Sequence, residues 1–314
     1  MADLTPGPGR DEDRAQLILI AAFALAVVLV ALALVMNAAI YTENLATRSE
    51  AAGLSNAHTA QRATTNVATE ALEYAHEVDN ATTHSGIEDN VTAAIAGYNN
   101  VSRRQHASTG HVVDARVVSV TPGTNISGGD GGDFTGQSST VEIWDVTRDA
   151  STVREFSMDI DTSTLADHGA GTDEFRVVAR DGSQRWFFNV SKDPSTPNRA
   201  IVGVNDTETY SECTVTSSQF IINVSAGTVG GDDCPALDLD DTPNTFDLEF
   251  RNASSIQGDY ELIVDRNELG RADFTNSGPR ARPVLFSVEI EFVYLSPDLD
   301  YESNIQIVPW RENA

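Results

Sequence analysis

The residues able to do chemistry are few, so their spacing can be weighed one group at a time. Cys213 and Cys234 are the only cysteines in the 314-residue chain. In a reducing compartment they would be two unrelated thiols. In an oxidising one the simplest arrangement is one disulfide, and closing that loop would contribute about 3 kcal/mol. The histidines are His58, His76, His84, His106, His111 and His168. His76-Glu77 has no second histidine at metalloprotease spacing. No G-x-S-x-G elbow, Walker loop or dinucleotide fingerprint occurs in the sequence. GGDGGDFTG (128–136) half matches a calcium-binding nonapeptide. Thr135 stands where that motif needs a large apolar residue, and there is one copy only, so a flexible Gly/Asp loop is expected. DDCPALDLDDTPNTFD (232–247) gathers Asp238, Asp240, Asp241 and Asp247. Such oxygen donors suit Ca²⁺, but the glycine and terminal glutamate of an EF-hand are missing. The expectation is a solvated acidic loop beside the cysteines. The residues therefore predict no catalytic centre, no cofactor and no metal.

One modification signal is far richer than chance. N-x-S/T sequons occur at Asn80, Asn90, Asn100, Asn125, Asn189, Asn205, Asn223 and Asn252. The asparagine and Ser/Thr content would give roughly three. Such acceptors matter only outside the cytoplasm, on accessible surface. All eight follow the stretch RAQLILIAAFALAVVLVALALVM (14–36), which has no charge after Arg14. Leu17–Met36 is 20 uncharged residues; at about 1.5 Å per residue they match a hydrocarbon core of about 30 Å. A secretory signal would have a shorter apolar run and an A-x-A-like end, and Met36-Asn37-Ala38-Ala39-Ile40 is a poor match. Arg10 and Arg14 against Arg48 favour a cytoplasmic N-terminus only slightly. The sequons decide the expectation: a single-pass membrane protein with its N-terminus cytoplasmic and the remainder extracellular.

The balance of charge is −27, from 47 acidic and 20 basic residues, of which Lys192 is the one lysine. A surface this acidic and this poor in lysine resembles proteins of extreme halophiles, where concentrated salt screens self-repulsion. It also argues against nucleic acid as a partner, since phosphates would meet a surface of their own sign. Arg14-Ala15-Gln16 followed at once by the apolar run resembles the processing site of archaeal type IV prepilins. Leu32–Arg48 (LALVMNAAIYTENLATR) is similar to exported pilin-like proteins of haloarchaea. The resemblance covers about residues 10–40. It implies cleavage between Ala15 and Gln16, leaving the helix on the mature chain. It also implies assembly with other pilin-like subunits through that helix. The pattern departs at Ile20, where many pilins have glutamate; an unprocessed anchor is the alternative. Ala15, Ala22, Ala26, Ala33, Asn37 and Asn44 fall on one stripe. Small stripes let helices approach closely in lipid, although alanine is simply frequent here.

These features need positioning elements. Ala38 to about Val78 keeps a helical composition without proline, with Gly53 as the one candidate break. Its apolar face is thin: Val67, Leu72, Tyr74 and Val78. A second helix, near 86–106, carries Ile87, Val91, Ile95 and Tyr98. After His111 the period changes to two. Strand-like runs follow at 112–120, 140–146, 174–180, 184–191, 200–204, 219–225, 245–250, 260–265 and 285–295, separated by Gly/Asp/Asn/Pro turns. In the last run Phe286, Val288, Ile290 and Phe292 are expected on a face opposite Glu289 and Glu291. Asn189 and Asn223 are expected on solvent faces. The predicted class is α+β: a transmembrane helix, a helical stalk and an antiparallel β-sandwich-like extracellular region. The predicted segments are a tail or leader (1–14), the membrane or pilin-like helix (15–40), the stalk (41–108) and a β region of one or two units (109–314). The role read from all this is a non-enzymatic surface component: minor pilin, pseudopilin, envelope or adhesion protein. A tethered ion- or solute-binding protein is the second reading, and a tethered hydrolase the third.

Overall fold

The computed structural model describes residues 9–77, 82–138, 140–169, 173–182, 184–205, 210–237, 245–275 and 278–309. The chain is α+β. Helix α1 (Gly9–Glu77) runs for 69 residues without interruption, about 100 Å at the helical rise. Alanine and leucine dominate it, and proline, the strongest breaker, is absent from the whole span. Gly53 does not break it. A Cβ there would lie 3.5 Å from the Leu299 side chain, so at Gly53 the helix lies against the β domain. No change in backbone marks the expected boundaries at 14/15 and 40/41. Helix α2 (His84–His106) starts at Thr83, whose hydroxyl accepts from the Gly86 amide, and carries Arg103, Arg104 and His106 in its last turn. There they face the negative end of the helix dipole.

Among the described residues fourteen strands follow: β1 (Val112–Asp133), β2 (Trp144–Ala150), β3 (Val153–Asp161), β4 (Phe175–Asp181), β5 (Gln184–Lys192), β6 (Arg199–Asn205), β7 (Tyr210–Thr216), β8 (Gln219–Asn223), β9 (Thr228–Val229), β10 (Asp232–Asp233), β11 (Phe246–Arg251), β12 (Gln257–Val264), β13 (Arg280–Ser296) and β14 (Leu299–Ile307). They form an eight-stranded sheet, order β10-β9-β8-β3-β12-β1-β13-β14, and a six-stranded sheet, order β2-β11-β4-β5-β6-β7. One aromatic-rich core joins the sheets. Phe250 of β11 lies 5.2 Å, ring to ring, from Tyr260 of β12, and Phe134 touches Phe175, Phe250 and Tyr260. This is a β-sandwich with a single shared interior.

A second core fixes the helices. Ala57, Ala60, Ala68, Leu72 and Ala75 of α1 and Ile87, Val91 and Ile95 of α2 pack on Val288, Ile290, Phe292 and Tyr294 of β13 and on Ile305 and Ile307 of β14. The segment read as a stalk is therefore one layer of the folded domain from Ala57 onward. Polar pins reinforce it. Gln61 donates to Ser303 Oγ at 3.1 Å and accepts from Tyr301 Oη at 3.2 Å. The first half of β1 pairs only with β13. Part of its open edge is closed by Asn99, which exchanges two hydrogen bonds with the Ala115 backbone (2.6 and 3.0 Å).

Several expectations are corrected. GGDGGD is not a loop but the bulged end of β1, paired with β12 as Gly128↔Tyr260 and Gly132↔Gly258. A Cβ on Gly128 would stand 2.5 Å from the Tyr260 hydroxyl oxygen, so closeness of approach, not flexibility, explains this glycine. Phe286 does not share the Val288–Ile290–Phe292 face. The β1/β13 register shifts between Thr121 and Pro122, and Phe286 packs with Ile263 and Val284 instead. The run at 140–146 becomes strand only from Trp144. β3, β7 and β14 carry no clear strand signal in the sequence, because polar and charged side chains fill most of their outer positions.

Candidate functional site

Three features are placed by this fold: an uncovered apolar helix, a set of glycan acceptors, and clusters of buried charge. Ile18–Glu43 of α1 is a 26-residue segment whose most apolar 18-residue window has mean hydropathy 3.2, and that window is not buried against the domain. By length and composition it can cross a membrane. Leu19, Phe23 and Leu34 are all more than 60% exposed, an arrangement that water penalises at about 25 cal/mol per Å² of apolar surface. Arg14, Ala15 and Gln16 lie in the first turns of the same helix; their side chains, like Asn80, fall outside the described residues.

The remaining sequons differ sharply in what their amides already do. Asn90 and Asn100 are exposed on α2. Asn125 donates to Glu261 at 2.6 Å. Asn223 accepts from the Ala226 amide at 2.9 Å, which fixes a turn through its oxygen and not its nitrogen. Asn205 ends β6 and is partly buried. Asn189 is committed at both ends: its oxygen accepts from Arg176 Nε at 2.6 Å and its nitrogen donates to Glu174 at 3.3 Å. Asn252 sits at φ 52° and donates to the Glu174 carbonyl at 2.8 Å. The expected solvent face for Asn189 is thus occupied by a polar network, and a glycan on that nitrogen would break it.

Glu174 is the centre of that network. It is 7% exposed and accepts from the Gly169 amide at 2.8 Å. His168 Nδ1 is 3.1 Å from Ser191 Oγ and 3.6 Å from Glu174. The three residue types match a hydrolytic triad, but the geometry does not. Serine and carboxylate share one ring nitrogen, whereas a triad uses opposite nitrogens, and Ser191 is 1% exposed. The arrangement positions a loop. Glu268, 4% exposed, likewise accepts from Thr147 Oγ1, the Arg148 amide and Arg271. On the six-stranded sheet Arg180 bridges Asp145 and Glu249, and Glu249 also pairs with Arg251.

The histidines are structural pins. His58 meets the Tyr301 ring, His111 pairs with Tyr294 Oη at 3.1 Å and stacks with His106, and His84 Nε2 meets the Gly123 carbonyl at 2.7 Å. His76 Nε2 accepts from the Leu285 amide at 2.9 Å, and burial lowers its pKa to about 4. Sequence reasoning gave these residues no task; their spacing against a distant strand carries no local signal. Of the acidic run, Asp238, Asp240 and Asp241 fall outside the described residues, and Asp247 accepts from the Asp149 amide at 3.0 Å. Among the described residues no group of three metal-ligating side chains occurs. Cys213 and Cys234 form a disulfide with Cα atoms 5.9 Å apart. It joins β7, an edge of one sheet, to the residue after β10, an edge of the other.

Residues 11–143 match a family of unknown function (DUF7261). That segment is less than half of the chain and spans α1, α2 and β1, so it ends just before β2. The comparison with curated proteins gives no match. Among solved structures, a crystal structure of Scytalido-glutamic peptidase with a peptide-based transition state analog is 12% identical, with 58% of this chain and 84% of that chain covered, at a TM-score of 0.17. A score that low carries no argument about fold or activity.

Proposed function

We propose that this chain is a non-enzymatic, membrane-anchored surface protein of pilin-like organisation, a minor pilin, pseudopilin or envelope component. One observation carries the reading. A single continuous helix leaves a 26-residue, largely apolar segment uncovered at one end and serves as a layer of a folded domain at the other. The helix is rigidly built into the domain, so whatever its apolar end inserts into, lipid or a bundle of like helices, holds the domain at a set distance and angle. Ten residue steps along the helix, from Glu43 to Gly53, separate the apolar segment from the domain contact at Gly53. That is about 15 Å of helix, enough to clear the headgroup layer. The disulfide and the sequons support an extracellular domain.

Protease treatment of intact cells tests the topology. An exterior domain loses residues beyond 53 to the protease while a short membrane-embedded fragment survives. Full protection until the cells are lysed would overturn the reading. Among the described residues no group of three metal-ligating side chains supports the ion-binding reading, and Ser191, His168 and Glu174 do not supply the hydrolase reading with a triad.

A further inference from the structure

The solvent side of the α1/α2 pair holds a groove of about 550 Å³ bordered by Val67, Glu70, Ala71 and Tyr74 of α1 and by Asn90 and Ala94 of α2. Its size lies within the usual range of small-molecule sites, about 300–1,000 Å³. Tyr74 is 62% exposed there, although its neighbour on the same helix, Leu72, is fully buried. An alanine-floored groove beside an exposed aromatic ring presents apolar area that water does not favour.

One residue in the groove says what covers it. Asn90 is a sequon acceptor, and Val91 between it and Thr92 is 1% exposed in the helix–sheet core. Val91 therefore turns Asn90 and Thr92 outward, and both are exposed. The other exposed sequon differs: at Asn100 the hydroxyl partner Ser102 is buried at 2%.

We propose that Asn90 is N-glycosylated and that its saccharide lies in this groove against Tyr74. The donor is a saccharide linked through its anomeric carbon to a lipid phosphate. Asn90 Nδ2 forms the new bond to that carbon and gives up one proton; the carbon–oxygen bond to the lipid phosphate breaks, and the lipid phosphate leaves. The apolar C–H face of the sugar then covers the Tyr74 ring and the alanines, and its hydroxyls meet the Glu70 carboxylate. The attached glycan arrives at high effective concentration, so even weak contacts hold it in place. This rests on the surface reading above, since the transfer requires export.

Full-length protein from native membranes provides the test, by mass mapping of all eight sequon peptides and by nitration of Tyr74 with tetranitromethane, using exposed Tyr210 as the internal standard. The expected result is a saccharide mass on the Asn90 peptide. Thr92→Ala, at an exposed position, should raise Tyr74 nitration at least threefold, whereas Thr92→Ser, which keeps the sequon, should change neither readout. A bare Asn90 with sugar elsewhere overturns the proposal and leaves the surface reading standing. Eight bare sequons overturn the proposal and remove the glycan support for the surface reading, which the protease test decides separately. A glycosylated Asn90 with equal Tyr74 nitration in wild type and Thr92→Ala overturns the groove as its seat.

Discussion

His76 should make the helix–sheet junction sensitive to acid. It sits in the last turn of α1 and accepts from the Leu285 amide at 2.9 Å. Its neutral ring therefore carries the proton on Nδ1. Protonation of Nε2 would set donor against donor and place a charge in a largely buried site. Burial lowers the pKa from 6.5 to about 4. A folded pKa below the unfolded one means that the unfolded chain takes up the proton first. The stabilisation is then complete above pH 6.5 and is lost as pH falls toward 4. The drop from 6.5 to about 4 corresponds to about 3 kcal/mol, a large share of a net stability of about 5–15 kcal/mol. The assay is denaturant unfolding of the full chain in detergent and high salt, at pH 7 and pH 4.5, for wild type and His76→Gln. Glutamine can accept from the same amide but does not titrate in this range. The carboxylates titrate in both proteins, so they cancel in the comparison. Wild type should lose about 2–3 kcal/mol more than His76→Gln across this interval. Equal losses in the two proteins would refute the assignment of acid sensitivity to this histidine.

Other positions give separate tests. Leu72→Ala, in the fully buried helix–sheet core, should cost about 2–5 kcal/mol in the same unfolding assay, whereas Glu73→Ala, at the next residue but on the exposed face, should stay within about 0.5 kcal/mol; similar values for both would contradict the packing of α1. Reduction of Cys213–Cys234 should remove about 3 kcal/mol, read as a lower melting temperature with a phosphine reductant, and an unchanged melt would show that the cross-sheet tie is not stabilising. Gly128→Ala, which brings a methyl group to 2.5 Å from the Tyr260 hydroxyl oxygen, should destabilise by about 1–3 kcal/mol; a neutral result would contradict the strand pairing of the GGDGGD segment.

What the sequence made legible follows from the kind of signal each element leaves. β13 announces itself through alternation, with Glu289 and Glu291 outward and Ile290 and Phe292 inward. Likewise the Ile87/Val91/Ile95 spacing of α2 corresponds directly to its buried face. The buried face of α1 was hard to see because it is made mainly of alanine, and alanine marks an interface only by being small. Tyr74 illustrates the inverse error: a large apolar side chain counted toward the inner face is exposed. β14 buries only Ile305 and Ile307, so an edge strand with one wet face and one short core contact looks like a polar tail. The sequons were fully legible as motifs. Their sorting was not, because Asn189 and Asn252 are tied to Glu174 by contacts 15 and 78 positions apart, which no local pattern encodes. The same holds for His58, His76 and His111, set against Tyr301, Leu285 and Tyr294 far along the chain.

The most direct test of the account is the N-terminus of the native protein, read by intact mass and peptide sequencing of material extracted from membranes. The account predicts a chain that begins at Gln16 and keeps the whole apolar segment, so that the helix remains available to lipid or to neighbouring subunits. A chain beginning beyond Met36 would contradict it outright, because the segment would then be an export signal that is discarded. A chain beginning at Met1 or Ala2 would contradict its pilin-like part and leave an ordinary anchor carrying a surface domain.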